Sequence, residues 1–455
     1  MKLDILHTND IHSCIDNFAK MGSYINKVRL SNPHNLLVDS GDMITGDFQF
    51  KYNMGAAERE INNYLKYDAV TIGNHDLDNG KDFLKEHMNQ IDAPYVLTNV
   101  IDNYNEIGDY TTSLIKQVGE VAVGFISFIN PRIVYSIGED IHFDYLDPSL
   151  YQAEIDKLRS QGVDVVVALN HQGIDEDIKL ANDTLGIDVI IGAHSHTTLK
   201  QPEVVNGTII VQTGSFGANL GHLELDIDNN QISGFKYNLV VVDTITEVDE
   251  ELQAIVDKYN ANADKHCEII FGSCQHHLEG RREYMTRAST NLGSLICDSY
   301  LDYAKSVGYA PDFAMINARG LRQSIPPGNI TTRSLYNVMP FEKQLLIIDI
   351  KGRDLLEALD NPIELQTANL MIHTKGDGSR EVYDRYKDNQ IELDRIYQVA
   401  TMNYIYEHHL FTSLTNSELI AKELASDIEI VSTYIQKLGH GFTYESNKMV
   451  SCEKK

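Results

Sequence analysis

Five short apolar runs in the first half of the chain each end in side chains able to bind a metal ion. Residues 3–6 are followed by "HTNDIHS", with Asp10 and His12, and residues 36–38 by "DSGD", with Asp39 and Asp42. Residues 69–72 lead into "GNHDLDNG", with Asn74, His75, Asp76 and Asp78. Residues 163–169 lead into "NHQG", with His171, and residues 189–191 into "GAHSH", with His194 and His196. A single Asp or His at a strand end is usually a cap or turn residue, and Asp39 reads as a residue that holds its loop. Five successive ends so equipped carry more weight, because the carboxyl ends of strands in an open α/β sheet face one crevice. Gly41, Gly73 and Gly192 sit beside these residues, where backbone must approach closely. Imidazoles, carboxylates and one amide, with no thiolate, suit Mn, Zn, Fe or Co better than Ca or Mg. Two such divalent ions about 3.5–4 Å apart, sharing a carboxylate, support in-line attack at phosphorus by a metal-activated hydroxide.

The elements that must position these residues alternate. Between the apolar runs lie helical patterns over 54–67, 81–90 and 148–161, and two further runs, 95–98 and 121–129, read as strands. This is the signature of a layered α/β domain. Residues 227–242 read as its closing strands, so the first domain is expected over 1–245. The acidic, helical stretch "EVDEELQAIVDKYNANADKH" reads as a linker helix over 246–266, and 267–455 as a second, α+β domain. A chain of 455 residues exceeds what one core supports, in keeping with two domains.

Bulk properties narrow the partners. The net charge is 38 − 66 = −28. That argues against nucleic acid or an anionic membrane, which attract Lys and Arg. A small anionic substrate remains compatible, since bound cations reverse the field locally. Five cysteines without zinc-ligand spacing point to reduced thiols rather than a disulfide framework. The opening "MKLDILHTND" reads as a strand and not a signal peptide, and no run of about 18 apolar residues is present. The expected setting is cytoplasmic; the oligomeric state is left open.

In order, "DILHTNDIHS", "LLVDSGD", "GNHDLDNG", "NHQG" and "GAHSH" resemble the calcineurin-like metallophosphoesterases, over roughly residues 2–240. More closely they resemble the 5′-nucleotidase family, with its UDP-sugar hydrolases and 2′,3′-cyclic-nucleotide phosphodiesterases. The second half resembles that family's C-terminal substrate domain through "TNLGSLICDSYL", "NARGLRQSIPPGNITTRSLYNVMPF" and "IKGRDLLEAL". The resemblance implies a calcineurin-like β-sandwich flanked by helices, followed by a substrate-binding domain. It implies one metal held by Asp10, His12, Asp42 and His196, and a second by Asp42, Asn74, His171 and His194, with Asp42 as bridge. His75 is then implied to stabilise the transition state or protonate the leaving oxygen, oriented by Asp78. In the second domain Asn317 and Arg322 match the family's substrate-binding run, Arg322 suiting a phosphate or carboxylate. Phe341 matches its base-stacking aromatic, and Arg287 lies near another family arginine. The chain departs from the family where Ala318 and Arg319 replace glycines. It departs again where "MNYIYEHHLFTSLT" stands for a Gly-Gly-Asp-Gly-Phe loop, leaving Phe411 or Tyr406 as the second aromatic.

The expected function is therefore release of phosphate from nucleotides by a dinuclear-metal phosphohydrolase of 5′-nucleotidase type. The alternatives are a 2′,3′-cyclic-nucleotide phosphodiesterase or a nucleotide-sugar pyrophosphatase. A non-catalytic small-anion-binding protein of the same fold would be expected to have lost a ligand or His75, and every one of these positions is filled.

Overall fold

The computed structural model describes residues 1–102, 106–131, 141–143, 148–266, 269–285, 289–360, 365–374, 380–384, 389–407, 412–422 and 424–446. Contacts divide the chain into two units, Met1–Ala263 and Asp264–Lys455.

In the first unit, strand Lys2–Thr8 lies at the centre of a five-stranded sheet. It pairs in parallel with Asn35–Asp39, which pairs in turn with Ala69–Val70. On its other side runs the antiparallel pair Asn219–Asp228 and Gln231–Val241. A second, six-stranded sheet has a parallel centre of Val121–Ile126, Val165–Leu169, Val189–Ile191 and Thr208–Val211. Antiparallel edge strands Leu114–Val118 and Glu203–Val205 flank it.

The period-2 alternation of strand side chains sorts the apolar residues into three buried layers. Leu3, Ile5 and Val38 of the first sheet meet Val165, Val167 and Ile191 of the second, so the two sheets form a sandwich. Leu6 and Leu37 point the other way, onto helices Phe18–Ser31 and Ala56–Leu65. Val166, Ala168 and Ile190 pack under Pro148–Ser160 and Ile174–Asp183. The registers Thr8↔Asp39 and Asp39↔Val70, and Leu169↔Ile191 in the other sheet, bring neighbouring parallel strands to an end level with one another.

Three sequence readings differ from what is observed. Residues 95–98 do not form a strand, because their backbone hydrogen bonds go to different partners in turn. The Val96 amide donates to Val70, that of Leu97 to Thr111 and that of Thr98 to Ser127. Leu114–Val118 is a strand the pattern did not reveal: it is an edge strand in which half-buried Lys116 and exposed Gln117 interrupt the apolar run. The acidic helix, observed as Glu250–Asp264, buries Leu252 and Val256 in the first unit's core.

The second unit holds a five-stranded sheet in the order Leu365–Ala368, Phe313–Asn317, Ile396–Met402, Leu345–Lys351, Glu418–Ala421. Helix Asn291–Ser306, capped by the Thr290 side chain, packs on it beside Asp427–Leu438. Among the described residues no helix is long and apolar enough to cross a membrane.

Candidate metal centre

The turns after the five strands gather the predicted residues into one cluster. Asp10, His12 and His196 have ligand atoms within 4.8 Å of one another, and so do Asp10, Asp42 and His171. The His12 and His196 Nε2 atoms are 3.1 Å apart, and His196 Nε2 is 3.5 Å from Asp10 Oδ1. Asp42 Oδ2 lies 3.2 Å from His171 Nε2 and 3.7 Å from His12 Nε2. Asp10 therefore belongs to both groups, while Asp42 reaches an imidazole of each. Asn74 and His194 meet beside them, with His194 Nδ1 3.0 Å from Asn74 Oδ1 and the His171 and His194 rings 5.4 Å apart.

The backbone at these positions is unusual. Asp10, His12, Asp42, His194 and His196 have φ of 50°, 52°, 54°, 72° and 55°. L-residues seldom adopt this left-handed region, and such conformations collect at functional sites. The room needed is made by glycine: a Cβ on Gly73 would stand 2.1 Å from Asp42 Oδ1 and 2.5 Å from His171 Cε1.

The ring orientations bear on whether a cation fits. His171 Nδ1 is 2.9 Å from the Ser40 carbonyl and His12 Nδ1 is 3.1 Å from that of Thr45. A carbonyl only accepts, so both Nδ1 atoms donate and both Nε2 atoms present lone pairs. His171 Nε2 is fully buried and has no hydrogen bond. Buried lone pairs opposed to carboxylates, with the far nitrogen tied to backbone, are the arrangement of metal-ligating histidines. The donor set accommodates divalent metal.

The electrostatics separate the two carboxylates. Burial pushes Asp10 up to about 7, with Asp42 adding to the rise and His171 opposing it. Burial also opposes ionisation of Asp42, but His171, His75 and His12 together hold it well below the usual carboxylate range. Burial alone would lower His171; Asp42 and Asp10 reverse this and raise it to about 10. Burial and the neighbouring His171 lower His194 to about 3. His75 lies at the rim, its ring 5.3 Å from that of His12 and its Nδ1 2.7 Å from Asp78 Oδ2.

Two supporting residues escaped the sequence reading. Asn9 donates from Nδ2 to Asp10 Oδ2 at 2.6 Å and to the Gly214 carbonyl at 2.9 Å, fixing the carboxylate from behind. Asp177 is fully buried, and its Oδ1 accepts from Asn170 at 2.9 Å and Gln172 at 2.7 Å, the residues on either side of His171. Asn9 adjoins a candidate ligand in sequence; for Asp177 the only signal is an acid in a helix first turn. Asp39 accepts from Thr8 Oγ1 at 2.6 Å and from the Gly41 amide at 2.8 Å.

In the second unit the Arg322 guanidinium lies over the Phe341 ring at 5.3 Å. Lys343 Nζ lies 5.4 Å from the same ring and 4.6 Å from that of Tyr404. Asn317 is buried, and its Oδ1 accepts from the Arg319 amide at 2.9 Å. Arg287 and Phe411 lie outside the described residues.

Comparison with known proteins matches residues 3–198 to the calcineurin-like phosphoesterases and residues 274–412 to the 5′-nucleotidase C-terminal domain. The chain is 29% identical to the trifunctional nucleotide phosphoesterase protein YfkN of Bacillus subtilis, over 96% of this chain and 34% of that protein. It thus spans about a third of that relative's length. It is 26% identical to the human 5′-nucleotidase, over 96% of this chain and 88% of the other. Its fold is that of the 5′-nucleotidase precursor of Thermus thermophilus, with a TM-score of 0.89 at 24% identity and full coverage of both chains. A sandwich whose strand ends gather imidazoles and carboxylates, followed by the second matching domain, places this chain in the calcineurin-like phosphoesterase family with a 5′-nucleotidase C-terminal domain.

Proposed function

We propose that this chain is a metal-dependent hydrolase that releases phosphate from nucleotides in a 5′-nucleotidase-type reaction. The observation that carries this is the convergence of Asp10, His12, Asp42, His171 and His196, with the His171 lone pair buried and without a hydrogen bond. The names of the relatives support nucleotides as substrates. Asp10, His12, Asp42 and His196 would hold one divalent ion, and Asp42, Asn74, His171 and His194 the other, drawn from Mn, Zn, Fe and Co. Such ions, when bound, activate water for attack on phosphorus and neutralise the phosphoryl oxygens.

The protein's own part follows from its geometry. The carbonyls of Ser40 and Thr45 keep the His171 and His12 rings in the tautomer that turns Nε2 inward. Asp78 would accept a hydrogen bond from His75 Nδ1–H, leaving Nε2 to meet the substrate, where the protonated ring would stabilise charge or give its Nε2 proton to the leaving oxygen. In the second unit Arg322 would meet an anionic group and Phe341 a base face. Cys14, Cys274 and Cys297 are free thiols, in keeping with a reducing, cytoplasmic setting.

The test is phosphate release with Mn²⁺, with and without chelator. Its substrates are AMP, 3′-AMP, 2′,3′-cyclic AMP with a helper phosphatase, a UDP-sugar and p-nitrophenyl phosphate. Chelator-sensitive release from AMP is expected. Release only from the cyclic nucleotide or the UDP-sugar would replace the 5′-nucleotidase reading with one of its alternatives. No release with metal bound would leave a binding protein.

A further inference from the structure

The stretch "GNHDLD" contains one acid, Asp76, for which the proposed reaction has no use. Its side chain does not face the cluster as a ligand. It is 4% exposed and accepts three backbone amides: Gly73 at 2.7 Å and Asp42 at 2.9 Å on Oδ2, and Ile44 at 3.1 Å on Oδ1. One oxygen thus joins two loops that follow different strands, each carrying a candidate ligand, Asp42 and Asn74. The bond is returned: Asp42 Oδ1 accepts the His75 amide at 2.8 Å. Each loop grips the other's backbone with a carboxylate, and the missing Cβ of Gly73 lets them close to that distance. The Asp42 peptide is held in a left-handed conformation, φ 54°, which local preference does not favour.

We propose that Asp76 is a positioning residue for the metal centre: it buckles the Asp42 loop to the Asn74 loop and so sets the spacing of two ligands without touching the ions. The inference rests on the metal-centre reading given above. Backbone amides bound to a carboxylate are charge-assisted and among the stronger hydrogen bonds. Partners of this kind behind the ligands typically govern metal affinity by about 10–100-fold.

The test is titration of the metal-free protein with Co²⁺ alone, read by calorimetry and visible absorption. It compares wild type, Asp76→Ala, Asp76→Asn and Asp76→Glu, with folding checked by circular dichroism. The alanine variant is expected to bind at least one Co²⁺ about 10–100-fold more weakly with an altered spectrum. The asparagine variant, which keeps the shape but loses one acceptor, is expected to fall between, and the glutamate variant, which restores a carboxylate, to recover most of the affinity. A folded alanine variant with wild-type affinity and spectrum would overturn the proposal. So would an asparagine variant equal to wild type, since a packing role alone predicts that. Wild type that binds no Co²⁺ would remove the metal-centre reading, and this proposal with it. Hydrogen exchange on the wild type gives a second reading that needs no variant to fold. The amides of Asp42, Ile44 and Gly73 are expected to exchange slowly, and fast exchange there would overturn the buckle.

Discussion

In the first unit Asp10, His12, Asp42 and His171 are all buried, and each is held by further polar partners from behind or from the side. In the second unit Arg322, Phe341, Lys343 and Tyr404 are half-buried and meet through cation–ring contacts of 4.6–5.4 Å. Both sets sit just outside strand ends, the first built from buried carboxylates and imidazoles and the second from cations set against ring faces. Chemistry at phosphorus needs atoms fixed to a fraction of an ångström. Recognition of a ring face and an anion tolerates broader geometry. The contrast fits the proposed division of labour, with reacting groups in the first unit and recognition in the second.

The largest effect should come from His75→Ala, which removes the acid–base group and leaves the ligands. We expect kcat to fall by about 10²–10⁴-fold, with Mn²⁺ content by elemental analysis unchanged. A loss of metal with it would blur the line between ligand and acid. Metal loading comes next. Mn²⁺ at about 100 times its Kd should stabilise the first unit by about 2.7 kcal/mol, seen by calorimetry as an upward shift of its transition. A second-unit transition that moved equally would break the comparison. Phe341→Ala should lower kcat/KM for AMP by the worth of a stacked base, about 1–3 kcal/mol, and spare p-nitrophenyl phosphate. Equal loss on both substrates would deny the second unit its recognition role.

The effect furthest from the candidate site, and the smallest near neutral pH, concerns His7, which lies in the sandwich core. Neither ring nitrogen has a hydrogen bond, the ring stacks on Tyr237 at 6.0 Å, and Gly221 leaves it space. Burial, with help from His222, lowers it to about 3. The folded form therefore keeps His7 neutral while the unfolded chain protonates it below about 6.5. Its contribution to stability is complete above that pH and is lost as pH falls toward 3. His7→Leu should flatten the acid limb of stability by about 1.4 kcal/mol per pH unit between pH 6 and 4, measured by urea unfolding. An unchanged slope would mean the sandwich core admits the proton.

The ligand loops were legible because glycine, aspartate and histidine recur where apolar runs stop, and both the runs and the stops are local. The supports were not, because Asp177 and Asp76 act on residues that the fold brings to them. Nothing in "IDEDIK" says that its fourth residue, Asp177, is fully buried close to His171. Leu114–Val118 was missed for a related reason: an edge strand keeps polar residues, so its pattern lacks the apolar density of the central strands. In the second unit the Asn317 amide oxygen accepts from the Arg319 amide, a detail of turn geometry that the sequence does not spell out.

The left-handed turns at Asp10 and Asp42 have an evolutionary side. Glycine relieves a strain of about 1–2 kcal/mol at such a position, and here it would also delete a candidate ligand. Selection for folding alone would therefore reward the loss of activity at these sites. Asp42→Gly should melt higher than Asp42→Ala in the metal-free state while hydrolysing nothing. A lineage freed from the need for this reaction would be expected to drift toward glycine there first.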